Sequence, residues 1–248
     1  EKEIFEMPLS PKRTSALLQT HIKSGAEFTL WNDMAVPSRY SHFLNDEIIA
    51  VRKNVGLTDM SGIKKFWITG DDADDLIDFS ITRNAEFITA GKGAYTGLLN
   101  DAGQLVDDAI VFHLDREAQK YFGNKWLICT GGGCGEDMLT NSQKNRASRV
   151  FKDENLSCLM LQGPKSEDVI LASTRNLYLQ YMEKFDIKYV NFLGLNVLIA
   201  RTSYSGEDGF EIFAHDKDVV EIWHYFNSNF KSIITKVGFD ALDVLRTE

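Results

Sequence analysis

The sequence predicts an α+β fold made of two similar halves. A strand pattern that closes on a glycine and runs into an acid-rich helix occurs twice, with the glycine-to-helix parts at Gly70–Ile77 and Gly163–Ile170. Each module is followed by two β-rich runs around a turn, which is typical of a β-hairpin. Hairpins pair antiparallel strands and leave a sheet face for helices to cover. The pattern therefore favours an internal duplication of antiparallel-sheet and helix halves, which we place at residues 1–150 and 151–248.

The elements of the first half follow from hydrophobic spacing and turn residues. Phe43, Ile48 and Val51 recur at roughly helical spacing. The acidic residues that follow Gly70 suit the first turn of a helix because they complement its dipole. The predicted elements are a helix over Phe43–Asn54, a strand over Lys64–Thr69, a helix over Asp71–Ser80, a hairpin of Lys92–Leu99 and Gln104–Phe112 around the turn Asn100–Gly103, a strand over Lys125–Cys129 and a helix over Asp137–Lys144.

The second half repeats this order and ends in a helical pattern. Leu242 and Leu245 lie at helical spacing near the end, and no glycine or proline stop follows them. Because the chain also begins without methionine, we expect it to be a piece of a longer protein. The predicted elements are a strand over Ser157–Gln162, a helix over Pro164–Ala172, a hairpin of Asn196–Ser203 and Phe210–Ala214, and a helix from Gly238.

Composition excludes several classes of function. The chain of 248 residues carries 27 basic and 36 acidic side chains, a net charge of −9, which opposes the basic surface that nucleic-acid binding requires. We find neither an apolar run long enough to span a bilayer nor a signal peptide, so no membrane partner is expected. Three cysteines are too few for a disulfide framework and indicate a reducing compartment, the cytoplasm or, in a eukaryote, the mitochondrial matrix. The cysteines and five histidines show no metal-ligand spacing, so no metal site is predicted.

Carboxylates within apolar strands are the candidates for chemistry. Asp107 and Asp108 lie in a strand that is apolar on both faces, so at least one carboxylate should be partly desolvated, but alternation cannot choose between them. Glu211 stands between Phe210 and Ile212, directly after a tight turn. A buried carboxylate can accept two parallel hydrogen bonds from an amidine-like edge, such as that of a pterin or guanine. Ordinary solvent-facing or ion-paired carboxylates remain the alternative at both places.

The glycine-rich run Thr130–Gly135 follows a strand and precedes a helix. A phosphate-binding loop is a weak interpretation, because no Lys-Ser or Lys-Thr pair follows and Glu136 and Asp137 would repel a phosphate. We expect the backbone to approach a flat ligand or another strand closely, with a plain flexible turn as the alternative.

Several segments together resemble the folate-dependent aminomethyltransferase family, which includes the glycine-cleavage T-protein and related tetrahydrofolate-dependent demethylases. The resemblance keeps the family's order over nearly the whole chain. The segments are Val36–Tyr40, Gly56–Ser61, Gly93–Asp108, Leu161–Pro164, Ser203–Glu211 and Asp243–Glu248.

This resemblance implies that the two halves hold tetrahydrofolate in a central channel. It also implies a C-terminal β-barrel that is missing from this chain. Asp108 matches the catalytic aspartate of the family, which handles charge or a proton, and Glu211 matches the glutamate that orients the pterin. The other positions that correspond to folate contacts are Tyr204, Tyr95, Ile128 and Thr130.

The resemblance leaves the one-carbon donor open. Leu242 stands where T-proteins carry an arginine that helps to hold ligand, which weakens the case for the same substrate. The leading hypothesis is aminomethyl transfer to tetrahydrofolate from a lipoylated carrier protein. The alternatives are demethylation of a small methylated amine, ether or sulfonium compound, and folate binding without catalysis.

Overall fold

The computed structural model describes residues 10–100 and 102–248. Asp101, inside the predicted turn Asn100–Gly103, lies outside the described residues. The α-helices are α1 Leu18–Lys23, α2 Leu44–Lys53, α3 Ala73–Ser80, α4 Arg116–Phe122, α5 Gly135–Ser142, α6 Ser166–Thr174, α7 Asp216–Asn229 and α8 Phe239–Thr247. The strands are β1 Arg13–Thr14, β2 Glu27–Trp31, β3 Met34–Arg39, β4 Val55–Asp59, β5 Lys64–Gly70, β6 Lys92–Leu99, β7 Leu105–His113, β8 Trp126–Thr130, β9 Ser148–Lys152, β10 Leu156–Gln162, β11 Ile187–Phe192, β12 Leu195–Ala200, β13 Gly209–His215 and β14 Ile234–Lys236.

These strands form three sheets in the described part of the chain. The first sheet has the order β6-β7-β8-β5-β9, and the second sheet has the order β11-β12-β13-β10-β4-β14. A small sheet of β1, β3 and β2 packs beside them. Every strand pair of the first sheet is antiparallel, and in the second only β14 runs parallel to its neighbour, β4. The α+β class predicted from the hairpin pattern is confirmed.

Strand order confirms the predicted duplication. The run β6-β7-β8-β5 of the first sheet corresponds in chain order and position to β11-β12-β13-β10 of the second. Gly70 ends β5 and Gly163 directly follows β10, with φ angles of +108° and +132°, and a Cβ on either would meet the backbone of a neighbouring segment. Glycine is needed at both junctions because other residues adopt this conformation at a cost. The helices α3 and α6 then begin a few residues later.

The inner faces of the two sheets pack against each other. Phe112 of the first sheet and Phe213 of the second meet with ring centroids 6.2 Å apart. Burial of this apolar surface holds the halves together, and backbone hydrogen bonds such as Gly93 N to Phe185 O add to it. We call this region the inter-sheet core; its buried members include Trp67, Phe112, Leu127, Cys129, Leu156, Cys158, Met160, Leu198, Ala200, Phe213 and Leu242.

The sheets do not follow the predicted division at residue 150. Strand β4, from the first sixty residues, pairs with β10 in the second sheet, and β9 crosses the boundary to close the edge of the first. Both strands are only five residues long, and β4 shows no alternation because it is buried along its whole length. Their partners are distant in sequence, so the local pattern gave no indication of where they would pair.

Asp59 at the end of β4 is the centre of a buried hydrogen-bond network. Its carboxylate accepts from Ser15 Oγ, from the backbone N–H of Ser61 and from the ring of His21 at 2.9 Å. Tyr40 contacts the other ring nitrogen of His21 at 2.8 Å. Burial alone would raise the pKa of Asp59, but the hydrogen bonds from His21, Ser15 and Ser61 hold it below its ordinary value. The network ties the N-terminal segment to the second sheet.

We expect Asp59→Asn to lower the free energy of unfolding by about 3–5 kcal/mol, because His21 loses the charge that it is buried against. Urea unfolding measured at neutral pH tests this. Asp33→Asn is the matched control, since Asp33 pairs with Lys12 on the surface and its side chain is 60% exposed. A similar, small loss in both variants would contradict the role given to the buried network.

Candidate functional site

The register of β7 distinguishes the two neighbouring aspartates. Asp107 is 8% exposed and accepts hydrogen bonds from two backbone amides, those of Asp108 and of Gly135 at the start of α5. Asp108 points to the opposite face of the strand, together with Ile110 and Phe112, at the edge of the inter-sheet core. Asp107 is thus committed to structure, and Asp108 keeps an accessible carboxylate.

Tyr95 fixes the Asp108 carboxylate. Its hydroxyl donates to Asp108 Oδ2 at 2.7 Å. Tyr95 lies opposite Ile110 in the hairpin, so the two side chains of this hydrogen bond share one sheet face. The hydrogen bond, aided by partial burial, raises the pKa of Tyr95 to about 12, so the hydroxyl remains a donor at neutral pH. The sequence-predicted pair Tyr95 and Asp108 is brought together here.

Glu211 is a buried carboxylate with few partners. It lies opposite Met160 and Ala200 in the second sheet and therefore on the inter-sheet face, and it is 5% exposed. No cation forms an ion pair with it among the described residues. Burial raises its pKa to about 7, and the nearby Thr202 hydroxyl opposes that shift only in part. A buried acceptor without donors is costly unless another group supplies them.

Tyr204 lies on the loop Ser203–Asp208, with the Arg246 guanidinium of α8 5.8 Å from the centre of its ring. It is 44% exposed. Burial raises its pKa, the Arg246 guanidinium opposes this, and the carboxylates of Asp243 and Asp108 raise it further. Tyr204 therefore lies beside α8, within electrostatic range of the Asp108 carboxylate. Tyr95 and Asp108 form a hydrogen-bonded pair beside the inter-sheet core, and Tyr204 lies within electrostatic range of both.

Two of the predicted folate contacts point elsewhere. Ile128 is fully buried among the side chains on the outer face of the first sheet, under α3 and α5. Thr130 lies two residues further along the same strand and therefore has the same orientation; its methyl group is near Gly135. The prediction that these side chains line the site is not supported by their orientation, because alternation along β8 turns Cys129 inward instead. Only backbone atoms of Ile128 and Thr130 could reach a ligand between the sheets.

The glycine-rich run packs against β7. A Cβ on Gly131 would lie 2.9 Å from Asp108 Oδ1, and one on Gly135 would lie 2.8 Å from Asp107 Oδ2. Asn32 holds the run by donating to Gly131 O. Of the expectations for this segment, close approach to another strand is the one that is confirmed. The run brings the backbone beside both aspartates.

Leu242 is buried, with 1% exposure, in the inter-sheet core. It contributes apolar surface where the resemblance would place a cation. Sequence reasoning missed Thr202, whose buried hydroxyl makes no hydrogen bond of standard geometry and lies near Glu211. The signal available for it was its place two residues after β12, directly before the loop that carries Tyr204.

Two negative findings concern the described residues alone. No group of three or more His, Cys, Asp or Glu side chains there could hold a metal ion. None of the helices there combines the length and apolar content needed to cross a membrane.

Curated relatives of this chain include two kinds of protein. The heme-dependent oxidative N-demethylase gamma subunit of Ectopseudomonas mendocina is 34% identical over 238 residues, which are 95% of this chain and 61% of the relative. The aminomethyltransferase of Staphylococcus saprophyticus is 30% identical over 241 residues, which are 95% of this chain and 63% of the relative. The chain thus spans less than two thirds of the length of these relatives.

Solved structures share the fold. The glycine cleavage system aminomethyltransferase T from Bartonella henselae matches with a TM-score of 0.82 at 24% identity, over 94% of this chain and 62% of that one. A chain of the heterotetrameric sarcosine oxidase from Corynebacterium sp. U-96 matches with a TM-score of 0.51 at 14% identity, over 83% of this chain and 93% of that one. The family model described as the GCVT N-terminal domain matches residues 17–248, and the chain therefore belongs to that family.

Proposed function

We propose that this chain binds a reduced folate between its two sheets and takes part in one-carbon transfer to it. The observation that carries the proposal is Glu211, a carboxylate 95% buried on the inter-sheet face with no cation beside it among the described residues. Such a group suits a ligand that offers two parallel N–H donors, as the pterin edge of tetrahydrofolate does. Membership of the family supports the same cofactor.

The residues divide the work by their surroundings. Tetrahydrofolate would supply a nucleophilic ring nitrogen that accepts the one-carbon unit. Glu211 binds and orients the pterin edge. Asp108, held by the Tyr95 hydroxyl at 2.7 Å, stabilises positive charge near that nitrogen or moves a proton there. Tyr204 contacts the ligand from the side of the loop Ser203–Asp208. Asp108 and Tyr95 are partly exposed, so a donor can approach them.

The relatives favour two different donors of the one-carbon unit. Aminomethyltransferases among them favour aminomethyl transfer, for which the family resemblance implies a lipoylated carrier protein as the donor. The demethylase subunit, together with the apolar Leu242, favours a one-carbon unit that comes from a small methylated amine. Ammonia release in the presence of a lipoylated carrier supports the first, and folate-dependent demethylation of a free amine supports the second. Folate binding with neither reaction supports a non-catalytic binding protein.

We expect Asp108→Asn to reduce turnover by about 10²–10⁴-fold while tetrahydrofolate affinity stays within about threefold, because the amide cannot stabilise charge or accept a proton. Glu211→Ala should weaken tetrahydrofolate binding by about 10–100-fold, the cost of hydrogen bonds to a charged acceptor. Calorimetric titration of the full-length protein and steady-state kinetics separate the two effects. Equal losses of affinity and turnover in both variants would contradict this division.

We expect the buried Glu211 carboxylate to lower the free energy of unfolding of the ligand-free protein, and a ligand that donates hydrogen bonds to it to offset this loss. Burial raises the pKa of its carboxyl to about 7 in the folded protein. The loss of stability is therefore absent at low pH, where the carboxyl is protonated in both states. It grows as pH rises from the ordinary pKa of the unfolded chain to the raised pKa of the folded protein. Glu211→Gln should therefore raise the free energy of unfolding by about 3 kcal/mol near pH 8 and by little below about pH 5. Urea unfolding across this range measures it.

The matched control for the stability experiment is Glu221→Gln, which alters an exposed residue of α7. It should leave the free energy of unfolding nearly unchanged at every pH. A Glu211→Gln variant that is no more stable than the parent near pH 8 would show that the carboxylate is already satisfied within the protein.

A further inference from the structure

The loop Ser203–Asp208, which carries Tyr204, is bound by one buried amide. Gln162 is the last residue of β10 and is 1% exposed. Its Oε1 accepts from the backbone N–H of Tyr204 at 3.2 Å and from Ser205 Oγ at 3.0 Å. Its Nε2 donates to the backbone carbonyl of Thr202 at 3.1 Å. One side chain thus holds three residues, Thr202, Tyr204 and Ser205, of the chain that connects β12 and β13.

The strand pairing sets the orientation of this amide. Gln162 lies opposite Gly209 at the end of the β10 and β13 pair, on the face that also carries Met160. A Cβ on Gly209 would collide with the Gln162 amide, so glycine lets the side chain lie flat against β13. Glu211 is two residues further along β13, on the same face. Gln162 therefore links the loop directly to the strand that bears the buried carboxylate.

A second contact holds the loop from outside. Arg52 of α2 donates to Ser205 O at 3.1 Å and to Glu207 Oε1 at 2.8 Å. Arg52 is partly exposed, with 30% of its side chain accessible, so its contribution is screened by water. Arg201 and the backbone N–H of Gly163 hold Asp208 at the far end of the loop. At Tyr204 itself the buried amide is a stronger constraint than Arg52, because its three hydrogen bonds are removed from solvent.

We propose that Gln162 is a positioning residue for the folate site: it holds the loop of Tyr204 in its observed conformation before ligand binds. This inference rests on the proposed function. A loop that is already ordered avoids the entropy cost of ordering during association. Without the amide, the Tyr204 backbone would lose its acceptor, and binding would have to restore the loop conformation. Gln162 itself need not touch the ligand.

A double-mutant cycle tests the inference in the full-length protein, with tetrahydrofolate affinity measured by calorimetric titration. Gln162→Met keeps the side-chain volume and removes the hydrogen bonds, and should weaken binding by about five- to tenfold. Tyr204→Ala removes the positioned ring. Because Gln162 acts through Tyr204, the double variant should bind no worse than Tyr204→Ala alone. Additive losses, or no loss in Gln162→Met, would overturn the proposal.

Hydrogen exchange provides a readout that does not depend on the ligand. In the ligand-free protein, the Tyr204 amide should exchange faster by at least about tenfold in Gln162→Met, since its acceptor is gone. Gln119→Met is the matched control, because Gln119 donates to one backbone carbonyl in another part of the chain, at Leu114. It should change neither the Tyr204 exchange rate nor affinity.

The remaining outcomes are also decisive. If the parent protein fails to bind tetrahydrofolate, the proposed function fails, and the exchange experiment still decides whether Gln162 orders the loop. If Gln162→Met does not fold, Ser205→Ala removes one of the three hydrogen bonds with little change in packing. It should weaken binding about two- to threefold. Unchanged affinity and unchanged Tyr204 exchange in Ser205→Ala would count against the inference.

Discussion

The contact between the inner faces of the two sheets is the constraint on which the rest of the structure depends. Apolar side chains such as Phe112 and Phe213 must fill that space for the halves to stay together. The same face carries Glu211, whose charge the apolar surroundings disfavour. A group of this kind weakens the fold in isolation and gains value when a ligand supplies donors. The proposed binding group, Glu211, thus lies on the same apolar face that joins the two sheets.

Duplication supplies the scaffold, and differences between the halves supply the site. Strands β7 and β8 correspond to β12 and β13, yet their connections differ: the first contains α4, and the second is the short loop of Tyr204. Asp108 comes from β7 and Glu211 from β13, which are not equivalent strands. Each half therefore contributes one carboxylate: the first is accessible and held by a tyrosine, and the second is buried.

Residues around the candidate site hold its loop and its backbone in defined positions. Gln162 orders the Tyr204 loop with three hydrogen bonds, and the glycine-rich run brings its backbone beside Asp108. Relatives with different names share this fold. A fold that hosts several reactions keeps its binding frame and varies the residues that meet the donor. Leu242 is buried at the inter-sheet core, where the resemblance to T-proteins would place an arginine.

The sequence by itself determined the α+β class, the duplication and most regular elements, because hydrophobic spacing, helix-starting acids and turn residues act locally. It also indicated Asp108, Tyr95, Tyr204 and Glu211 as site candidates through a family resemblance. Tertiary structure decided what depends on register and on pairing between distant segments. It placed β4 in the second sheet and turned Asp107 toward the start of α5, with Asp108 on the opposite face. It also turned the side chains of Ile128 and Thr130 to the outer face of the first sheet. Side chains alternate between the two faces of a strand. Which face is the inner one is decided only when the sheet packs against another sheet.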